Sequence, residues 1–280
     1  MAKIRIIVPT DFSEIANNAL KLAIDLAKKI DGELILVNAF NIPTSYGEVG
    51  VNNLVKGMAY EVEKDIEQKF IELEDNVEGL SEILFKTEVK HGTVSNVINS
   101  LVGLYNADLI VMGTKGASGL EEVIIGSNAS DALKYSKCPV LVVPQNSSIE
   151  GLHKVVFASD FKRIDNKESL APLKLIMLLY KSDLAILHIN TSESDLSEEE
   201  LEEKKALETY FKGSPQVNHE LTYSSVESGI KEYISKNPTD LLAMVRRKHG
   251  FWEKLLKGSQ TQKLVDHGDV PVLIFPAENG

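Results

Sequence analysis

The chain has 280 residues, enough for two domains of about 100–150 residues each. Hydrophobic residues make up 43% and charged residues 25%, which excludes an intrinsically disordered chain. The net charge of −11 argues against a general nucleic-acid binder, which needs a basic face, yet leaves room for a small anion held by a locally positive loop.

Taken in order, Lys3–Pro9 reads as a short buried strand, and Ser13 is a good N-cap for the helix that follows. From Ile15 to Ile30 the apolar residues Ala16, Ala19, Leu20, Ala23, Ile24, Leu26 and Ala27 form a helical stripe, which Asp31-Gly32 ends. Glu33–Phe40 is a second strand. A loop with Pro43, Gly47 and Gly50 leads to a long polar-faced helix over 53–77. Ile83–Val89 is a third strand, His91-Gly92 a turn, and Thr93–Tyr105 a helix with Val94, Val97, Ile98 and Leu101 as its apolar positions. Asp108–Met112, Asn128–Ser136 and Pro139–Pro144 complete the pattern as strand, short helix and strand. This alternation predicts a parallel sheet with helices on both faces. Ligands of such sheets sit beyond the carboxyl ends of the strands, where Asp11, Ala39, Phe40 and Gly113 all fall.

The fourth strand runs into Gly113-Thr-Lys-Gly116, and after nine intervening residues Gly126-Ser127 opens the short helix. Glycine lets backbone N–H groups approach a ligand, and a helix N-terminus favours an anion. The loop is therefore a candidate phosphate cradle. On the residues alone, the glycines also fit tight turns without a ligand, Asp11 fits a turn or cap residue, and Lys115 fits a solvent-facing side chain.

After a polar linker, Gln145–Leu152, the pattern starts again. Lys154-Val-Val-Phe-Ala-Ser-Asp-Phe161 resembles Arg5-Ile-Ile-Val-Pro-Thr-Asp-Phe12, with Asp160 placed 149 residues after Asp11. Asp240–Val245, Gly258-Ser259 and Val270–Pro276 resemble Asp108–Gly113, Gly126-Ser127 and Cys138–Pro144, each at an offset of 132. The second copy is thus shorter in its middle, between its second and third strands. That region carries Ser197…Glu200, the spacing of a capping box at the head of a solvated acidic helix. The duplication predicts domains at 1–147 and 151–280.

Val8-Pro-Thr-Asp-Phe-Ser13, the spacing Gly-x2-Gly-x9-Gly-(Ser/Thr) at Gly113, Gly116, Gly126 and Ser127, and the closing Pro-Val-Leu-Val-Val-Pro together resemble the universal stress protein family, as a tandem pair. The resemblance implies an α/β fold of two tandem Rossmann-like domains, of the adenine nucleotide alpha hydrolase-like type, each a five-stranded parallel sheet with helices on both faces. It implies that the first domain binds ATP or a related nucleotide (ADP or AMP), with or without magnesium, as a stress-responsive regulator. Asp11 would recognise the adenine region, with Pro9 and Thr10 lining the pocket and Ala39 against the base. Met112 and Gly113 would flank the ribose. Lys115 and Gly116 would lie against the phosphates, and Gly126, Ser127, Asn128 and Ala129 would offer them backbone N–H groups and a hydroxyl. It also implies pairing through the last strands, here as an intrachain pseudo-dimer, with a homodimer and a protein partner left open.

Other phosphate motifs fit badly. No Gly-x4-Gly-Lys-(Ser/Thr) loop is present, the first strand is not followed by Gly-x-Gly-x2-Gly, and no convincing set of metal carboxylate and base emerges for phosphoryl transfer. A slow ATP hydrolase and an interaction module without nucleotide are the alternatives. In the second copy Val245 and Lys248 stand where Gly113 and Gly116 stand in the first, so nucleotide is expected only in the first. Arg246-Arg247-Lys248 could hold an anion, acidic surface or a partner chain, while Phe251 and Trp252 read as loop packing. The single cysteine, Cys138, reads as a buried structural thiol. The first residues lack the apolar run and cleavage site of a signal peptide, and no stretch reaches the roughly 18 apolar residues of a membrane span, so a cytoplasmic location is expected.

Overall fold

A computed structural model describes residues 3–41, 52–114, 126–147, 151–192, 194–247 and 270–276, with the backbone alone at 52–56. Most of the predicted strands form because they are apolar at nearly every position, so both of their faces can be buried, as the inside of a parallel sheet between helices requires. In β1 (Arg5–Pro9), Ile6 and Val8 enter one apolar layer and Ile7 the other. The same period of two divides β2 (Glu33–Phe40) and β4 (Leu109–Gly113): Leu34, Leu36, Leu109 and Val111 join the first layer, and Ile35, Val37, Ile110 and Met112 the second.

Helices cover these layers. The first layer is closed by α1 (Glu14–Ile30) and α2 (Asn52–Asn76), the second by α3 (Val94–Tyr105) and α4 (Ser127–Tyr135). Ser13 is the N-cap of α1, accepting from the Ala16 N–H, and Asp31 ends that helix in the left-handed conformation, at φ 49°. Thr93 caps α3 in the same way as Ser13 caps α1. The third strand, β3 (Leu84–His91), lies two residues further along at its end than its sequence pattern indicates. It is an edge strand, half exposed, and Lys86 and Lys90 mark it as one.

β5 (Val140–Val143) ends the first half. The second half repeats the course as β6 (Lys154–Ala158), α5 (Ala171–Tyr180), β7 (Asp183–Asn190), α6 (Glu198–Tyr210), β8 (Gln216–Thr222), α7 (Val226–Lys236), β9 (Leu241–Val245) and β10 (Val272–Phe275). The shortened connection joins Asn190 to Gln216, where the first half joins Phe40 to Leu84. It carries α6 with its expected capping box, Ser197 and Glu200 bonding each other's backbone N–H.

All ten strands form one sheet, in the order β3-β2-β1-β4-β5-β10-β9-β6-β7-β8. Within each half every pairing is parallel, and each half is a five-stranded Rossmann-like unit. The halves meet through one antiparallel pairing, β5 against β10, with Leu141 opposite Leu273. Both leucines are fully buried, so the apolar last strands shield one another's edges, as the resemblance implies. A hydrogen bond from the Tyr180 hydroxyl of α5 to the Asp25 carboxylate of α1 further ties the halves. No described helix is long and apolar enough to cross a membrane.

Candidate functional site

The carboxyl ends of β1, β2 and β4 and the start of α4 surround a cavity of about 320 Å³. Its floor and walls follow from backbone turns encoded locally. After β1, the Thr10 N–H donates to Val37 O, the Thr10 hydroxyl accepts from the Phe12 N–H at 3.0 Å, and the Asp11 carboxylate accepts from the Ser13 N–H at 3.1 Å. These short loops force Phe12 to φ 64°, a left-handed conformation that a bulky side chain rarely adopts. The Phe12 ring is held edge-on against Phe70 of α2, at 5.1 Å. The strained turn thereby places Thr10 and Asp11 at the cavity wall.

From β2, Val37, Asn38 and Ala39 face the same space, and the Asn38 side-chain amide donates to Thr10 O at 2.8 Å, tying the second strand end to the first. From β4 come Met112, Gly113 and Thr114, and from α4 come Ser127, Asn128 and Ala129, preceded by Gly126. Val94, Val97 and Ile98 of α3 close an apolar side. The cavity thus brings together Pro9, Thr10, Asp11, Ala39, Met112, Gly113, Gly126, Ser127, Asn128 and Ala129 of the residues expected from the sequence. Lys115 and Gly116 lie outside the described residues.

Two of these residues have a structural reason that the sequence pattern did not reveal. A Cβ at Gly113 would stand 2.7 Å from Ile15 Cγ2 and 3.1 Å from Ile15 O, so glycine is required there by the close approach of α1 to β4. The Gly126 N–H donates to Thr114 O at 2.6 Å, so this amide already has a backbone acceptor. The first amides of α4, at Ser127, Asn128 and Ala129, are those that a helix leaves without an intrahelical partner. Asn38 was not singled out from the sequence, and the α3 residues were read there only as the apolar face of a helix. Position two residues before Ala39's neighbour Phe40, on a strand end already marked as ligand-facing, was the available signal for Asn38; for Val97 there was none, since its helical stripe says only that it is buried.

Asp11 is the one ionisable side chain among the described residues lining the cavity, and the described residues contain no group of three or more His, Cys, Asp or Glu side chains arranged to hold a metal. The arrangement offers hydrogen-bonding groups at the β1 turn, an apolar wall at α3, and a helix N-terminus. It is suited to recognising a ligand with a polar heterocyclic edge and an anionic end.

The second half keeps the turn and exchanges the side chains beside it. The Ser159 hydroxyl accepts from the Phe161 N–H and Asp160 from the Lys162 N–H, both at 3.1 Å, with Phe161 at φ 50°. Strand register matches Val37, beside Pro9, with Leu187, beside Ala158, and so Ala39 with Ile189. Ile189 packs on Gly229, the α7 residue that stands where Val97 stands in α3. A Cβ at Gly229 would lie 2.7 Å from Ile189 Cγ2. Arg247 bonds the Asp160 carboxylate at 3.1 Å and the Lys162 carbonyl at 2.6 Å. Of the basic cluster read from the sequence, Arg247 is therefore engaged within its own half, and Lys248, Phe251, Trp252, Gly258 and Ser259 lie outside the described residues.

A family model described as the universal stress protein family matches residues 4–144 and 174–276. A universal stress protein of Methanocaldococcus jannaschii is 32% identical over 145 residues, covering 50% of this chain and 81% of its own length. A universal stress protein of Synechocystis is 28% identical over 151 residues, covering 50% of this chain and 96% of its own. Over nearly the whole chain, the fold is similar to the crystal structure of a universal stress protein from Archaeoglobus fulgidus, with a TM-score of 0.65, 19% identity and coverage of 97% of this chain and 98% of that one.

Proposed function

The chain belongs to the universal stress protein family, and on that footing we propose that its first domain, residues 1–147, binds ATP or a related adenine nucleotide as a nucleotide-responsive regulator. In this reading the second domain, residues 151–280, binds none. The observation that carries the reading is the convergence of three strand ends and the α4 N-terminus on one cavity in the first half, lined by Ala39 where the second half has Ile189. In that cavity the β1 turn at Thr10 and Asp11 would meet the polar edge of the base, Ala39 would lie against its face, and Met112 and Gly113 would flank the ribose. Ser127, Asn128 and Ala129 would donate backbone N–H groups, and Ser127 its hydroxyl, to phosphate oxygens, helped by the positive end of the helix. Lys115 and Gly116 would complete the phosphate side. Each of these contacts binds and orients, and none of them supplies a nucleophile or a proton relay.

Calorimetric titration with AMP, ADP and ATP, with and without magnesium, tests the reading. One nucleotide per chain is expected. Ala39→Ile, which installs the residue found at the matching position of the second half, should abolish binding. Wild-type protein that takes up no adenine nucleotide under either condition overturns the function, and equal affinity in the variant overturns the location.

A further inference from the structure

We propose that Arg246, a residue of the second half, is a positioning residue for the first-half cavity: its guanidinium caps the carboxyl end of α4, the helix whose amino end lines that cavity. A helix leaves its last carbonyls without partners. At the end of α4 the Ser136 N–H closes the final turn on Ala132 O, and the carbonyls of Leu133 and Ser136 remain for other donors. Arg246 Nη1 donates to Leu133 O at 2.5 Å and Nη2 to Ser136 O at 3.2 Å. The planar fork can reach both carbonyls at once, and its positive charge complements the negative end of the helix dipole.

The base of this side chain is anchored. The Arg246 N–H donates to Phe275 O at 2.9 Å, extending the β9–β10 ladder, and β10 pairs in turn with β5 of the first half. The contact therefore springs from the sheet seam. Thr114 occupies the corresponding position in the first half, where its N–H makes the same ladder bond, to Val143 O at 3.2 Å. The duplicated backbone is thus kept while the side chain has become a cation directed into the other half. Arg246 is partly buried in the seam, which lowers its pKa from the ordinary value and gives weight to both carbonyl partners. Because α4 is a single short helix of nine residues, about 13 Å long, an end held by Arg246 also fixes the direction of the amides at Ser127–Ala129.

The consequence for binding rests on the nucleotide reading above, and the mechanical consequence does not. Arg246→Met keeps the length and removes the fork; Arg246→Lys keeps the charge without the fork and stands in if the first variant fails to fold. Arg163→Ala, which removes an exposed side chain paired with exposed Asp165, is the control. Hydrogen exchange of the ligand-free protein should quicken at the α4 amides in Arg246→Met and stay unchanged in α3, with Arg246→Lys between wild type and Arg246→Met. ADP affinity should fall about tenfold and adenosine affinity much less, since only phosphate would meet the α4 amides. Unchanged α4 exchange overturns the proposal, as does an equal loss for adenosine and ADP. If wild-type protein binds neither ligand, the nucleotide reading fails, and the exchange measurement alone decides the positioning role.

Discussion

Matched packing of Ile189 on Gly229 can be tested without any ligand. Ile189 is 7% exposed, and three of its carbons lie 2.7, 2.8 and 3.0 Å from where a Cβ would stand at Gly229. Ile189→Ala removes buried carbons and leaves a void beside a glycine, which should cost about 2–4 kcal/mol. Gly229→Val forces branched carbons into Ile189 and should cost about 1–3 kcal/mol, less roughly half a kcal/mol recovered by removing a glycine from a helix interior. The double substitution restores the Ala–Val pairing of positions 39 and 97 and conserves the carbon count. It should therefore cost about 2 kcal/mol less than the two single changes added together. Urea denaturation of the four proteins, with shifts in midpoint at constant slope, reads these differences. Additivity of the two single changes to within about 0.5 kcal/mol would refute the matched-pair account, since contacting residues should couple more strongly than that.

Two further outcomes follow from buried ionisable groups. Glu33 is almost fully buried between Lys86 at 2.7 Å and Arg5 at 3.2 Å. The Lys86 hydrogen bond, with help from Arg5, holds its carboxyl below the ordinary value of 4.5 against the opposing effect of burial. A depressed folded-state value contributes stability above the unfolded value and loses it as pH falls through the folded one. Relative to Glu33→Gln, wild-type melting temperature should hold its advantage near neutrality and lose it below 4.5; an advantage unchanged down to about pH 3 would contradict this. The Cys138 thiol, buried and bonded to Ala107 O, is pushed up to about 12 chiefly by burial. Alkylation at about pH 8 should be negligible in the folded protein and rapid in denaturant, and fast labelling of the folded protein would count against this burial.

Local pattern carried much of the fold. Strands buried on both faces need apolar residues throughout, and helices over them need a stripe, so β1, α1, β2, α3, β4 and β5 were legible, as were the caps at Ser13 and Ser197. The repeat offsets located the shortened connection before α6, and the strand ends named Asp11, Ala39 and Gly113 as neighbours of one cavity. Contacts made across long stretches of chain were not legible. That Gly113 yields to Ile15, that the Gly126 amide is taken by Thr114, and that Ile189 seats on Gly229 depend on how closely finished elements approach. The destinations of Arg246 and Arg247 were open for a related reason: a long, flexible cation next to many carbonyls and carboxylates has no preferred partner until the sheet seam places one within reach. Periodicity in the sequence determined which faces are buried; only the tertiary structure decided what each face is buried against, because that choice is made by packing between elements that the chain brings together from distant positions, Leu133 and Arg246 among them.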